Sequence, residues 1–266
     1  MQSLAYIHWG ISPDIFSLSF LTLRWYGLLF AAGFVIGYRI MEWVFKSENI
    51  NIKLLDSLTM TMVFSTVIGA RLGHCLFYQP AYYLANPIDI IKVWEGGLAS
   101  HGAGFGILIG LYIFVKRFPE IKLIWILDRI VITIALAGFF IRIGNLMNSE
   151  IFGLPTDVSW AFIFNNIDNI PRHPTQIYEA FSYLAIFIFL FIKYKNNKTN
   201  LKNGYLFGYF MMLVFAARFI IETFKENQVP FESILPINMG QILSIPFILA
   251  GIYFAFFYDK NKKSFK

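Results

Sequence analysis

The chain has 266 residues, of which 57% are hydrophobic and 14% charged, whereas soluble domains carry roughly a quarter charged residues. A mean hydropathy of +0.59 leaves too little polar surface to face water, so the lipid bilayer is the expected solvent. The formal charge of +6 does not point to nucleic acid, because the basic residues fall between and just beyond apolar blocks rather than along one amphipathic face.

Residues 1 to 23 hold no Lys or Arg, so the basic start of a cleavable leader is missing and the N-terminus is expected to be retained. Apolar runs then cover 22–41, 57–77, 98–115, 123–141, 177–193, 204–221 and 239–258. Each approaches the roughly 20 residues that carry a helix across about 30 Å of hydrocarbon. They predict an all-α membrane protein of seven transmembrane helices, with its termini on opposite sides of the bilayer. One set of connections holds Arg39, Lys46, Lys53, Lys116, Arg117, Lys122, Lys193, Lys195, Lys198, Lys202, Lys260, Lys262, Lys263 and Lys266. The other holds only Lys92, Arg142, Arg172 and Lys225, with Arg24, Arg71, Arg129 and Arg218 in or at the edges of spans. The positive-inside bias therefore puts the N-terminus outside and the C-terminus in the cytoplasm. No linker or repeat interrupts the pattern, which reads as one polytopic domain over 1–266.

The external connections are long and rich in Gly, Pro and aromatic residues, so loops 79–97 and 142–176 are expected to form the active-site face. In the first, Tyr82, Tyr83 and Trp94 suit the headgroup zone around a short amphipathic stretch. In the second, the alternating run Val158 to Phe164 predicts a strand of a small external hairpin.

Charge within a bilayer is costly and calls for a partner, a wet cavity or a task. Arg218 and Glu222 lie four apart, on one helix face near its external end. Arg142, Asn145, Asn148 and Glu150 gather at the same interface, followed by Gly153. Two arginine forks there match the oxygens of a phospholipid phosphate. A structural ion pair for Arg218, and a helix cap for Asn145, are the alternative readings. His101 opens the small-residue run Ser100 to Gly106 at the external interface, where an imidazole can accept a proton. His74 and the single cysteine, Cys75, read as packing or polar glue beside Arg71. No Cys/His spacing resembles a metal site, and nucleophile elbow, HExxH and P-loop patterns are absent from the sequence.

Seven segments in order resemble prolipoprotein diacylglyceryl transferases along nearly the whole chain: LRWYG at 23–27, GARLGH at 69–74, VWEGGLASHG at 93–102, RIGNLMNSEIFG at 142–153, RHPTQIYEA at 172–180, ARFIIETFKENQ at 217–228 and MGQILSIP at 239–246. The resemblance implies transfer of the sn-1,2-diacylglyceryl group of phosphatidylglycerol to the lipobox cysteine of prolipoprotein signal peptides, with release of glycerol phosphate. It places the activity in the bacterial inner membrane, toward the periplasmic face, with no metal or organic cofactor. Its functional residues fall on Tyr26, His101, Arg142, Asn145, Glu150, Gly153, Arg218 and Glu222. Two departures occur: Gly102-Ala103 stands where the family has a double glycine, and Ile141 where glycine is frequent. The implied roles are His101 as base, Arg142 and Arg218 as stabilisers of the departing phosphate, and Glu150 and Glu222 as their orienting groups. Tyr26 and Asn145 would position the headgroup, and Gly153 is grouped with them as substrate-binding. A transporter or scramblase of anionic phospholipid is the alternative from another class. An intramembrane protease is disfavoured for want of a Ser/His or paired-aspartate arrangement.

Overall fold

The structure, a computed structural model, describes residues 6–18, 21–225 and 237–258. In chain order it runs β1 (Ile7–Trp9), β2 (Asp14–Leu18), β3 (Leu21–Arg24), α1 (Trp25–Ser47), α2 (Ile52–Phe77), the short α3 (Pro80–Ala85), α4 (Ser100–Arg117) and α5 (Leu123–Met147). Then follow β4 (Phe162–Phe164), β5 (Pro171–Arg172), α6 (Thr175–Asn197), α7 (Tyr205–Ile221) and α8 (Met239–Phe256). Among the described residues, six helices are long and apolar enough to cross a membrane, namely α1, α2, α5, α6, α7 with the turn that follows it, and α8. The remaining expected span is the 18-residue α4, which opens with Ser100-His101 and closes with Lys116-Arg117. Large apolar side chains point outward from these helices, with Val35 64%, Phe64 57% and Leu249 61% exposed. Such a surface has lipid tails as its natural complement.

Boundaries moved where local chemistry overrode hydropathy. The first apolar run was expected to enter the helix at 22, yet Leu21–Arg24 pairs antiparallel with Asp14–Leu18, and α1 starts only at Trp25. Arg24, expected at the edge of a span, does stand immediately before α1, where it ends β3 with its Nε 3.2 Å from Asp14 Oδ1. The second helix begins earlier than expected, because the Asn51 side chain accepts the Lys53 N–H at 3.0 Å and caps it. The fourth continues past 141 to Met147, which turns Arg142 and Asn145 from loop-edge groups into neighbours on a helix.

By backbone contacts the chain divides into two compact units, Met41–Ile126 and Met1–Ile40 with Leu127–Lys266. In the first, α2 and α4 lie backbone to backbone. A methyl added at Gly102 would meet the Gly69 carbonyl, and one at Gly106 the Ser65 carbonyl. Without a hydrophobic drive between helices in lipid, such small-residue seams let dispersion hold them together. Arg71, 3% exposed on α2, gathers the following loop by donating to the carbonyls of Ile90 (2.9 Å), Gly96 (2.5 Å) and Asp89 (2.6 Å). Arg71, read from the sequence only as a charge in or at the edge of a span, thus anchors the 79–97 loop. In that loop Tyr82 donates to Asp89 at 2.6 Å, and the Lys92 ammonium 2.6 Å from the same carboxylate holds Asp89 below its ordinary range.

In the second unit, β4 pairs parallel with β1 and antiparallel with β5. The hairpin expected from Val158 is real but shorter, because only Phe162–Phe164 joins the ladder. Phe162, Phe164 and Leu146 form a small core packed by Trp9, Phe152 and Ile177, and Trp9 Nε1 donates to the Leu146 carbonyl at 3.0 Å. The little sheet is thereby fixed on the end of α5. Arg172 closes the hairpin through Asp168 Oδ2 at 2.8 Å, which keeps that carboxyl below its usual range. At the opposite end of α5, the buried Asp128 accepts the Gly204 and Phe207 amides at 2.7 and 2.9 Å and so caps α7 from a neighbouring helix.

Candidate active site

Within the unit that holds α5 to α8, the charged side chains converge on one connected network. Arg142 on α5 places Nε 3.0 Å from Glu179 Oε2, as a close ion pair rather than an aligned hydrogen bond. One turn on, Asn145 Oδ1 accepts from Arg142 Nη1 at 3.2 Å, while its Nδ2 donates to Glu150 Oε1 at 2.8 Å. Glu179 Oε1 accepts from Lys225 at 2.8 Å, and Lys225 in turn lies 3.6 Å from Glu222 Oε2. Arg218 Nε completes the chain at 3.9 Å from the same oxygen. The Tyr183 phenol hydrogen-bonds Arg142 and sits within electrostatic reach of Glu179 and Arg218, joining both ends.

The electrostatics follow from the count of charges. Arg142, Arg218 and Lys225 face Glu150, Glu179 and Glu222, so the network is balanced, as burial of charge demands. The pairing is uneven. Glu179 and Glu222 keep side chains only 2% and 5% exposed, whereas Arg218 is 38% exposed and most loosely paired. Its guanidinium is therefore the most accessible of the three cations.

Glycines decide how closely these groups assemble. A methyl at Gly144 would strike the Tyr26 ring, so this glycine of the RIGN segment seats Tyr26 beside Arg142 and Glu150. Gly153 has no room for a side chain against the Phe224 carbonyl, the Thr175 methyl and His173. Its N–H donates to the His173 carbonyl at 2.8 Å, and the next amide, Leu154, to Phe224 O at 2.7 Å. Gly153 thus lets the loop that follows α5 lie against the turn that follows α7. Burial keeps the neighbouring His173 imidazole below its ordinary pKa, with Nδ1 3.1 Å from the Tyr178 hydroxyl.

Of the residues singled out in the sequence, Tyr26, Arg142, Asn145 and Glu150 come together directly, and Arg218 and Glu222 join them through Glu179 and Lys225. One assignment changes. Glu150 was expected to orient an arginine, but it reaches Arg142 only through Asn145, and the carboxylate against Arg142 is Glu179. Glu179 went unnoticed because it lies inside an apolar span, and Lys225 because it counted only as a loop charge. Their places in RHPTQIYEA and ARFIIETFKENQ were the available signal. Gln241 was missed as well; it forms a capping box with Asn238 and donates to the Phe219 carbonyl at 3.2 Å, fastening α8 to the end of α7.

His101 belongs to the other unit. It is the second residue of α4, exposed, with the Phe77 and Tyr78 rings at centroid distances of 5.4 and 5.8 Å. Among the described residues, no group of three or more His, Cys, Asp and Glu side chains is placed to hold a metal ion.

Comparison with known proteins brings the residue pattern and the network under one heading. The sequence model of the family described as prolipoprotein diacylglyceryl transferase matches residues 13–257. A phosphatidylglycerol–prolipoprotein diacylglyceryl transferase of Tolumonas auensis is 49% identical over 256 residues, covering 96% of this chain and 99% of its own. The protein of the same name from Chloroherpeton thalassium is 48% identical and covers 96% of each chain, and that of Bacteroides fragilis is 42% identical over 268 residues. These matches span every segment that contributes to the network, from Tyr26 to Gln241, and the chain belongs to the prolipoprotein diacylglyceryl transferase family.

Proposed function

We propose that this chain carries out the reaction its relatives are named for, the transfer of the diacylglyceryl group of phosphatidylglycerol to the cysteine of a prolipoprotein. The observation that carries the reading is the Arg142–Glu179–Lys225–Glu222–Arg218 network, in which buried carboxylates hold two arginine forks within a chain of apolar helices. In the proposed arrangement, all seven long helices span the bacterial inner membrane as one domain over 1–266. The N-terminus and the loops 79–97 and 142–176 face outward, and the C-terminus lies in the cytoplasm.

Chemically, the sulfur of the lipobox cysteine attacks the glycerol C3 carbon. A carbon–sulfur bond forms, the carbon–oxygen bond to phosphate breaks, and its electron pair leaves with glycerol phosphate. The thiol, with a reference pKa of about 8.5, must lose a proton that His101 is assigned to accept. Negative charge grows on the departing phosphate, where the forks of Arg142 and Arg218 meet it. Asn145 and Tyr26 hold the headgroup, Glu222 orients Arg218, and Glu179 orients Arg142.

Purified protein incubated with phosphatidylglycerol vesicles and a lipobox peptide tests the reading. Each peptide thiol gains the mass of one diacylglyceryl group, and glycerol phosphate appears in equal amount. Lipid moved between leaflets with no change in peptide mass would overturn it in favour of a scramblase.

A further inference from the structure

The turn that presents Glu150 is strained on both sides. Ser149 has φ 52° and Ile151 φ 59°, the left-handed region that disfavours side chains and is hardest on a β-branched one. Glycine or asparagine would adopt this turn without difficulty. Ile151 is 43% exposed, so burial of its own side chain does not offset the strain.

What holds the turn comes from the first residues of α6. Thr175 Oγ1 donates to the Ile151 carbonyl at 2.9 Å, and Gln176 Nε2 to the Glu150 carbonyl at 2.7 Å. Both residues are 0% exposed. Two consecutive buried donors thus take two consecutive carbonyls of one strained segment, while the Glu150 N–H returns to the Asn145 carbonyl at 3.1 Å. Strained backbone persists only where its surroundings over-determine it, and here they do. The line of contacts continues from the Glu150 carboxylate to Asn145 and on to Arg142.

We propose that Thr175 and Gln176 are positioning residues for the transfer: a buried clamp on the Glu150–Ile151 carbonyls that fixes the Glu150 carboxylate and, through Asn145, the Arg142 fork. The inference rests on the function proposed above. It acts through geometry at a distance from the reacting atoms, where small displacements have large kinetic effects.

The test uses the full chain in phosphatidylglycerol vesicles with a lipobox peptide, and reads transfer rate, peptide affinity and amide exchange of residues 148–153. Thr175→Val keeps the methyl that packs on Gly153 and removes the donor. Transfer falls about tenfold or more, exchange at 148–153 rises, and peptide affinity stays within about twofold of wild type. Adding Ile151→Asn, which accepts a left-handed backbone, restores at least about threefold of the lost rate, while Ile151→Asn alone transfers normally. Gln176→Glu, alike in shape but without the donor, repeats the loss should Thr175→Val fold poorly. Transfer by both clamp variants at the wild-type rate, loss of rate with unchanged exchange, or no recovery with Ile151→Asn would each overturn the clamp. If the wild-type chain transfers nothing, the proposed function falls, and exchange at 148–153 still decides whether the clamp exists.

Discussion

At the level of single residues, the arginines are distinguished by how much of each is already spent. Arg142 uses its Nε on Glu179 and its Nη1 on Asn145, so its remaining edge is aimed by two partners. Among the described residues Arg218 has one distant ion-pair partner, and its exposure is substantial. Lysine in either place keeps the charge and loses the planar fork. Arg218→Lys and Arg142→Lys are each expected to reduce transfer about 10²-fold or more, the scale found when one preorganised donor to a developing oxyanion is removed. Protein level in the membrane should stay unchanged, as shown by quantitative blotting beside the transfer assay. Near-normal turnover of Arg218→Lys would reduce that arginine to a structural partner of Glu222. For His101 the discriminating variable is pH. If the imidazole accepts the thiol proton, His101→Gln slows transfer by about 10²- to 10⁴-fold near neutrality, and the defect shrinks as pH approaches the thiol's own pKa of about 8.5. A constant fractional loss across the pH series, with lipid binding intact, would take the base role away from His101. The sequence singled out the two arginines as charges in or beside apolar runs and His101 as the head of a small-residue run, and the family resemblance added their roles. It supplied neither Glu179 nor Thr175 and Gln176, because their importance lies in which distant carbonyl or cation they meet.

At the level of elements, the helices were legible, and of the strands only β4 was. A 20-residue apolar run survives uncertainty of a few residues at its ends, whereas β1, β4 and β5 are three, three and two residues long. Pairing between β1 and β4, more than 150 positions apart, depends on a tertiary contact that no local window contains. Boundaries shifted where a single side chain intervened, as Asn51 does for α2 and the β2–β3 pairing does for α1. The α2–α4 seam offers a paired test of close approach. Gly102→Ala drives a methyl into the Gly69 carbonyl and should destabilise this unit by about 1–3 kcal/mol. Gly104, two residues along the same helix, has nothing within 4 Å of an added methyl, and Gly104→Ala should be neutral or stabilise by about 0.5–1 kcal/mol. Thermal unfolding of the detergent-solubilised variants measures the difference. Equal effects at the two positions would show that helix propensity, and not the seam, governs α4.

Across the whole molecule, the expected orientation follows from the arrangement of basic residues, and labelling can check it directly. A cysteine placed at Asn203 should be reached only from the cytoplasmic side, and one at Asp168 only from outside. The native Cys75 is 1% exposed and contributes little background. External labelling at Asn203 would reverse the proposed topology together with the placement of the active face. The corresponding expectation for Gln228, and the contribution of the C-terminal lysines, lie outside the described residues. The position of α7 carries a further consequence. Its first amides are held by Asp128 and its last turn by Gln241, so the helix is a strut pinned at both ends. Between the pins run the 17 residues Tyr205–Ile221, a span of roughly 25 Å at 1.5 Å per residue. Such a strut works as a ruler: one residue inserted at its middle would turn Arg218 by about 100° and advance it by about 1.5 Å relative to the capped end. The seam of Gly208 and Gly251, which seats α7 against α8 with no room for a methyl, leaves no compensating roll. Length along this helix is therefore as much a specification of where Arg218 stands, and so of the proposed phosphate site, as the identity of the arginine itself.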